Sequence, residues 1–245
     1  MRPLCLAAIL IFCAALHGNC EEAAPAVAAP ESYLAAFVKV AETPWPHNHT
    51  LNIVCHGHSV PSGYGKTPAV HTLDAYPHLL RAGLSERFPL AVINVIVTAI
   101  GGENSRAGAA RFQRDVLTLR PDVVTIDYAL NDRRLPLPEA RKNWVQMIEQ
   151  AQAANVKVIL LTPTPDQSAK LTDPADPLNQ HAAQIRALAA EYHTGLVDSL
   201  AVFQAAVTGG KPLVELMAQV NHPNRQGHEL VAHELLAWFP ASQKP

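Results

Sequence analysis

A chain of 245 residues suits one α/β domain with a sizeable core of its own. Its formal net charge of -2 is close to balance, so nothing calls for nucleic acid or an anionic membrane surface as partner. Apolar residues at 49% exclude an intrinsically disordered chain.

Met1-Arg2-Pro3 is a short positive stub, and residues 4–16 are almost wholly apolar. His17-Gly18-Asn19-Cys20 and two glutamates follow. This is the layout of a secretory signal peptide over residues 1–20, which implies a periplasmic or secreted protein without stable membrane insertion after cleavage. A retained membrane anchor, or a lipid on Cys20, are the alternatives; His17-Gly18-Asn19 does not look like the small-residue stretch that lipid attachment uses. Cys5, Cys13 and Cys20 fall in or beside this leader, leaving Cys55 to the domain itself. One cysteine makes no internal disulfide, and its apolar surroundings predict a buried thiol. Residues 21–45 read as a flexible linker or N-terminal arm, with a short helix over 31–40. The domain proper then spans 46–240.

Strands and helices alternate from there. Residues 51–55 are a short apolar run and predict a buried strand. Helical spacing covers 72–88. The β-branched run 91–97 predicts a second strand. A helix over 105–119 is broken by Pro121, and 122–128 form the third strand. A helix over 139–154, a strand over 156–161, a helix over 179–193, a short strand over 195–197 and a last helix over 224–239 complete the series. Five strands alternating with helices imply a parallel sheet covered on both faces. Ligands of such sheets bind beyond the carboxyl ends of the strands.

Four segments reach that edge with chemistry in them. The first is Gly57-His58-Ser59-Val60, a serine just past a strand end; Pro61 rules out the nucleophile elbow of the α/β-hydrolases. The second is Ile100-Gly101-Gly102-Glu103-Asn104, where paired glycines bring backbone close to a ligand. The third is Leu130-Asn131-Asp132, whose asparagine amide can donate to an oxyanion. The fourth is Asn221-His222-Pro223-Asn224, a histidine held extended by the following proline. Each alone reads as well as a cap or a turn.

Their order, Ser59, Gly102, Asn131, His222, resembles that of the SGNH hydrolases, also called the GDSL lipase/acylhydrolase family. The resemblance covers about residues 50–240. It implies a flavodoxin-like α/β/α sandwich and hydrolysis of carboxylic esters through an acyl-serine. It implies Ser59 as nucleophile and His222 as general base. The oxyanion donors would be the Ser59 N–H, the Gly102 N–H and the Asn131 side chain. No cofactor is implied. The substrate would be a small-molecule or carbohydrate ester, with an O-acylated carbohydrate or short-chain ester favoured by export and the absence of a long apolar flap. Tyr64, Arg133 and the loop 162–177 are candidates to line the pocket.

Two positions depart from the family pattern. His58 stands where an aspartate usually precedes the serine, and Gln219 stands where an aspartate usually lies three residues before the histidine. A glutamine oxygen can accept the Nδ1–H of His222 but brings no charge. The site then works as a Ser–His dyad oriented by Gln219 or by a backbone carbonyl; or Asp198, Glu103 or Asp132 takes the role; or the loop is built differently. Two other readings stay open. His56 and His58 form a His-x-His pair suited to zinc, as in a metal-dependent hydrolase. The chain could also be a weakly active, carbohydrate-binding relative.

Overall fold

The computed structural model describes residues 26–242, so the leader with Cys5, Cys13 and Cys20 lies outside the described residues. Five strands, β1 (Leu51–Gly57), β2 (Ile93–Val97), β3 (Val123–Asp127), β4 (Lys157–Leu161) and β5 (Gly195–Val197), form one sheet in the order β2-β1-β3-β4-β5. Every neighbouring pair is parallel. The ten α-helices among the described residues are α1 (Pro30–Tyr33), α2 (Ala35–Glu42), α3 (Ser59–Ser62), α4 (Tyr76–Arg87), α5 (Ser105–Asp115), α6 (Ala129–Asp132), α7 (Leu137–Ala153), α8 (Pro177–Glu191), α9 (Ser199–Thr208) and α10 (Arg225–Leu236).

The strands read as continuous apolar runs because successive side chains enter opposite layers. Ile53 and Cys55 of β1, with Ile159 and Leu161 of β4, pack into one core beside Leu80, Leu84, Leu200, Phe203, Val231 and Leu235 of α4, α9 and α10. Val54, Val158 and Leu160 pack into the other, beside Phe112, Trp144, Met147 and Ile185 of α5, α7 and α8. The result is the three-layer α/β/α sandwich expected from alternation. Cys55 is fully buried, and burial pushes its thiol up to about 12.

The order β2-β1-β3 places a reversal of winding between β1 and β3. A crevice opens outside the carboxyl ends of strands at such a point. There Gly57 pairs with Asp127. A Cβ on Gly57 would stand 2.5 Å from the Asp127 carbonyl oxygen, so only glycine permits this approach of the two strand ends.

The structure corrects the sequence reading in three places. The arm 21–45 is not a loose linker in its second half: Leu34, Phe37, Val38 and Ala41 are buried in the core, and Phe37 packs edge-on against Phe239 at 5.2 Å. An amphipathic helix with an apolar stripe finds its partner wherever the core lacks a cover. Helix α9 was not anticipated, since Ser199–Thr208 carries no clear helical stripe. Neither was the hairpin of β6 (Met217–Gln219) and β7 (His222–Pro223), whose strands are too short for a period to show.

Candidate active site

Ser59 is separated from β1 by His58 alone and opens the short helix α3, which ends at Gly63 in the left-handed region (φ 89). His222 lies in β7, and the hairpin register sets Gln219 opposite it. The Ser59 Oγ and His222 Nε2 are 2.9 Å apart. Ser59 is 7% exposed and His222 6%, so both are shielded yet reach one cleft. That cleft, of about 500 Å³, is also lined by Tyr64, Thr67, Gly101, Gly102, Asn104, Asn131, Arg134, Gln219 and Asn221. Ser59, Gly102, Asn131 and His222 therefore meet, though up to 163 residues separate them in the chain.

The loops opposite Ser59 are braced from behind. Gly102 has φ 82, a conformation that L side chains rarely adopt. Asn104 caps α5, its side chain accepting from the Ala107 N–H at 3.4 Å. The Asn131 Nδ2 donates one hydrogen to the Glu103 carbonyl at 2.7 Å, leaving its other hydrogen for the cleft. Glu103 in turn is held by Arg111 at 2.7 Å, and Arg111 donates to Tyr128 Oη at 3.1 Å. Tyr128 Oη and His56 Nε2 are 3.1 Å apart, and His56 Nδ1 lies 2.9 Å from Thr98 Oγ1. Burial pushes His56 down to about 4, so it is neutral at ordinary pH, and the network carries no extra buried positive charge there.

The imidazole of His222 is oriented without a carboxylate. For Nε2 to accept from Ser59, Nδ1 must hold the ring hydrogen, and the Gly65 carbonyl stands 2.9 Å from Nδ1 to receive it. Gln219 Nε2 lies 2.8 Å from the same nitrogen, while its Oε1 accepts from the Thr67 N–H at 3.0 Å. In this orientation of the amide both groups facing Nδ1 cannot be satisfied at once: the carbonyl wants a donor and the NH2 wants an acceptor. The amide is fixed as it stands, because its oxygen takes the Thr67 N–H and its Nε2 donates to Asn221 Oδ1 at 3.0 Å, so the Gly65 carbonyl is the acceptor that sets the tautomer. Of the three acids considered from sequence, none takes the place. Asp198 pairs with Arg186 at 2.6 Å, Glu103 pairs with Arg111, and Asp132 accepts from the Ser105 N–H and from Trp144 Nε1, each at 2.7 Å.

Burial holds His222 below the usual imidazole range, and the Gly65 carbonyl opposes part of that shift. Only neutral His222 can take a proton, so activity should fall as pH drops through its lowered value. We expect the acid limb of kcat/KM to have its midpoint below about 6.5. Rates measured from pH 4.5 to 8 check this, and a midpoint above that value would contradict it.

The structure also reassigns the pocket lining. Tyr64 lines the cleft as expected, its ring centroid 6.0 Å from that of His222. Arg133 is turned away to Asp166 at 2.6 Å, and Arg134 faces the cleft instead. The loop 162–177 supports the site from outside: Gln167 N–H donates to the Val220 carbonyl at 2.8 Å and Gln167 Nε2 to the Gln219 carbonyl at 3.2 Å. His56 and His58 do not converge on a metal: both ring nitrogens of His56 are engaged, by Thr98 and by Gly108 and Tyr128, and His58 Nδ1 accepts from the Val60 N–H. Among the described residues no group of three or more His, Cys, Asp or Glu side chains converges to hold a metal. Sequence reasoning missed Gly65, Thr67, Asn104, Asn221 and Arg134; a backbone carbonyl such as that of Gly65 leaves no trace in residue type.

A parallel α/β/α sheet with serine, histidine, a positive-φ glycine and an asparagine gathered at the β1/β3 crevice defines an ester hydrolase of the SGNH type. The chain belongs to the GDSL-like lipase/acylhydrolase family, whose model matches residues 55–230, and it is a carboxylic ester hydrolase. It is 26% identical over 192 residues to an acetylxylan esterase of Geobacillus stearothermophilus, covering 74% of this chain and 86% of that one. The crystal structure of an acetylxylan esterase from the same organism superposes with a TM-score of 0.68 at 22% identity, covering 77% of this chain and 94% of the other. An alpha/beta hydrolase enzyme from the metagenome of Lake Arreo, Spain, gives 0.67 at 24% identity, covering 80% and 99%.

Proposed function

We propose that this chain is an exported esterase that removes short acyl groups, acetyl above all, from carbohydrate hydroxyls, with Ser59 as nucleophile and His222 as general base. The observation that carries the reading is the 2.9 Å contact of Ser59 Oγ with His222 Nε2 in a cleft shared with Gly102 and Asn131. The Ser59 hydroxyl attacks the ester carbonyl while His222 Nε2 takes its proton. The Ser59 N–H, the Gly102 N–H and the Asn131 amide hold the oxyanion. His222 returns the proton to the departing sugar hydroxyl, leaving an acyl-Ser59. Water, deprotonated by the same nitrogen, then releases the acid and restores the serine.

The substrate class rests on three supports. The cleft is small and mostly polar, with no long apolar channel among its lining residues. The Tyr64 face beside His222 offers a stacking surface for a sugar ring. The related Geobacillus stearothermophilus protein is an acetylxylan esterase. Export rests on the signal-peptide layout of residues 1–20, and no helix among the described residues is long and apolar enough to cross a membrane.

The test is acetate release from a panel of acetylated sugars and oligosaccharides, beside short- and long-chain p-nitrophenyl esters. Turnover of acetylated sugars well above that of long-chain esters is expected. A chain that neither releases acetate nor labels with a fluorophosphonate at Ser59 would overturn the reading. Gln219 gives a second check. With Gly65 already accepting from Nδ1, Gln219→Ala should lower kcat by less than about tenfold, a modest hydrogen-bond effect. Gln219→Asp, which adds a charge beside the imidazolium, should raise kcat.

A further inference from the structure

Two buried groups beneath the nucleophile play no part in the scheme above. His58 is fully buried, and Asp127, at the carboxyl end of β3, is 1% exposed. The His58 Nδ1 accepts the Val60 N–H at 3.2 Å, which requires a lone pair on that nitrogen and places the ring hydrogen on Nε2. Nε2 faces Asp127 Oδ1 at 3.4 Å, and neither atom has a hydrogen-bond partner of its own. At that separation the pair is in ion-pair range and longer than a formed hydrogen bond. The other carboxylate oxygen accepts from the Tyr76 hydroxyl at 3.2 Å. A carboxylate this deep is costly unless partners gather round it, and the imidazole is the partner left to supply.

The lone pair of His58 Nδ1 is also 3.4 Å from Ser59 Oγ. The serine oxygen thus stands between two imidazole nitrogens. His222 is nearer and is backed by a neutral carbonyl; His58 is farther and is backed by a carboxylate. We propose that His58 and Asp127 form a second imidazole–carboxylate pair acting on Ser59, with His58 an auxiliary proton acceptor and Asp127 the residue that positions it. The proposal rests on Ser59 being the nucleophile. It places the charge that Gln219 cannot bring on the opposite side of the serine.

The chemistry balances with the groups present. When His222 is absent, the Ser59 proton passes to His58 Nδ1 as the Oγ–carbonyl bond forms, and the same proton goes to the departing alkoxide. Asp127 takes no proton; it holds the Nε2–H end of the ring. Because the Val60 N–H shares the Nδ1 lone pair, His58 is the weaker acceptor and its route the slower one.

A nucleophile and its only base usually cost about the same when removed singly. An auxiliary acceptor predicts a gap instead. His222→Ala should retain at least about tenfold more acetyl-ester turnover than Ser59→Ala, and adding His58→Asn should remove that residue of activity. Asn can still cap the Val60 N–H, so the turn is kept while the imidazole is lost. Asp127→Asn in the His222→Ala background should lower the residual rate about tenfold, since its amide oxygen keeps the contact without the charge. In the parent chain, His58→Asn should lower kcat three- to tenfold with KM within twofold. His222→Ala falling to the Ser59→Ala level overturns the proposal, a result that depends on no His58 variant folding. So does a His222→Ala residual untouched by His58→Asn in a chain of unchanged Tm. Ser59→Ala with full activity would instead overturn the nucleophile assignment, and the two failures are told apart.

Discussion

Ser59→Ala is expected to reduce kcat on an acetyl ester by about 10⁴- to 10⁶-fold while leaving the fold intact. The change deletes one hydroxyl at a site 7% exposed, and the atom removed is the one that would form the covalent bond. Its partner, His222 Nε2, loses a contact of 2.9 Å but keeps the Gly65 carbonyl on its other side, so the ring stays in place. Stability should therefore move by less than about 1 kcal/mol, the ordinary worth of one hydrogen bond. The measurements are steady-state turnover, fluorophosphonate labelling and thermal unfolding on the same preparation. Loss of both labelling and turnover at unchanged Tm is the expected result. Retention of either above background would remove Ser59 from the mechanism.

The next largest effect is expected at Asn131. Asn131→Ala should lower kcat by about 10²- to 10³-fold, or about 3–4 kcal/mol of barrier, with KM changed only a few-fold. The split follows from the proposed oxyanion role, in which the amide would meet charge that exists only after the carbonyl has become tetrahedral. Asn131 also ties its loop to the next one through the Glu103 carbonyl at 2.7 Å, so part of the loss would come from loosening of the Gly102 segment. The Arg111–Glu103 pair limits that part, because it anchors the same segment independently. An effect mainly on KM would mean that Asn131 binds the ground state and does not serve the oxyanion.

Much of the architecture was legible before any coordinates. The runs at 51–55, 91–97, 122–128 and 156–161 are apolar and β-branched because these strands are covered on both faces, and each proved to be a strand within two residues. The order of Ser59, Gly102, Asn131 and His222 was legible for a different reason. Residues with chemistry cluster at strand ends, and a parallel sheet brings all its carboxyl ends to one edge. What stayed hidden depended on contacts that no local period encodes. Helix α2 reads in sequence as part of a loose arm, since its stripe says that something must cover it but not what; Phe239, just over two hundred residues from Phe37, is part of the answer. Arg133 and Arg134 are indistinguishable in sequence, and only the turn after α6 decides that the first meets Asp166 and the second faces the cleft.

The sequence by itself determined the layer order of the sandwich, the hydrolase family and four of the residues that meet at the cleft, Ser59, Gly102, Asn131 and His222, because hydrophobic period and motif order survive in one dimension. Only the tertiary structure decided how His222 is oriented. A hairpin too short to announce itself sets Gln219 opposite the ring, and a backbone oxygen of Gly65, identical in every residue type, accepts from it. The pairing of His58 with Asp127 is of the same kind. It arises because parallel register brings residue 57 beside residue 127, and register is a property of two strands that neither one carries alone.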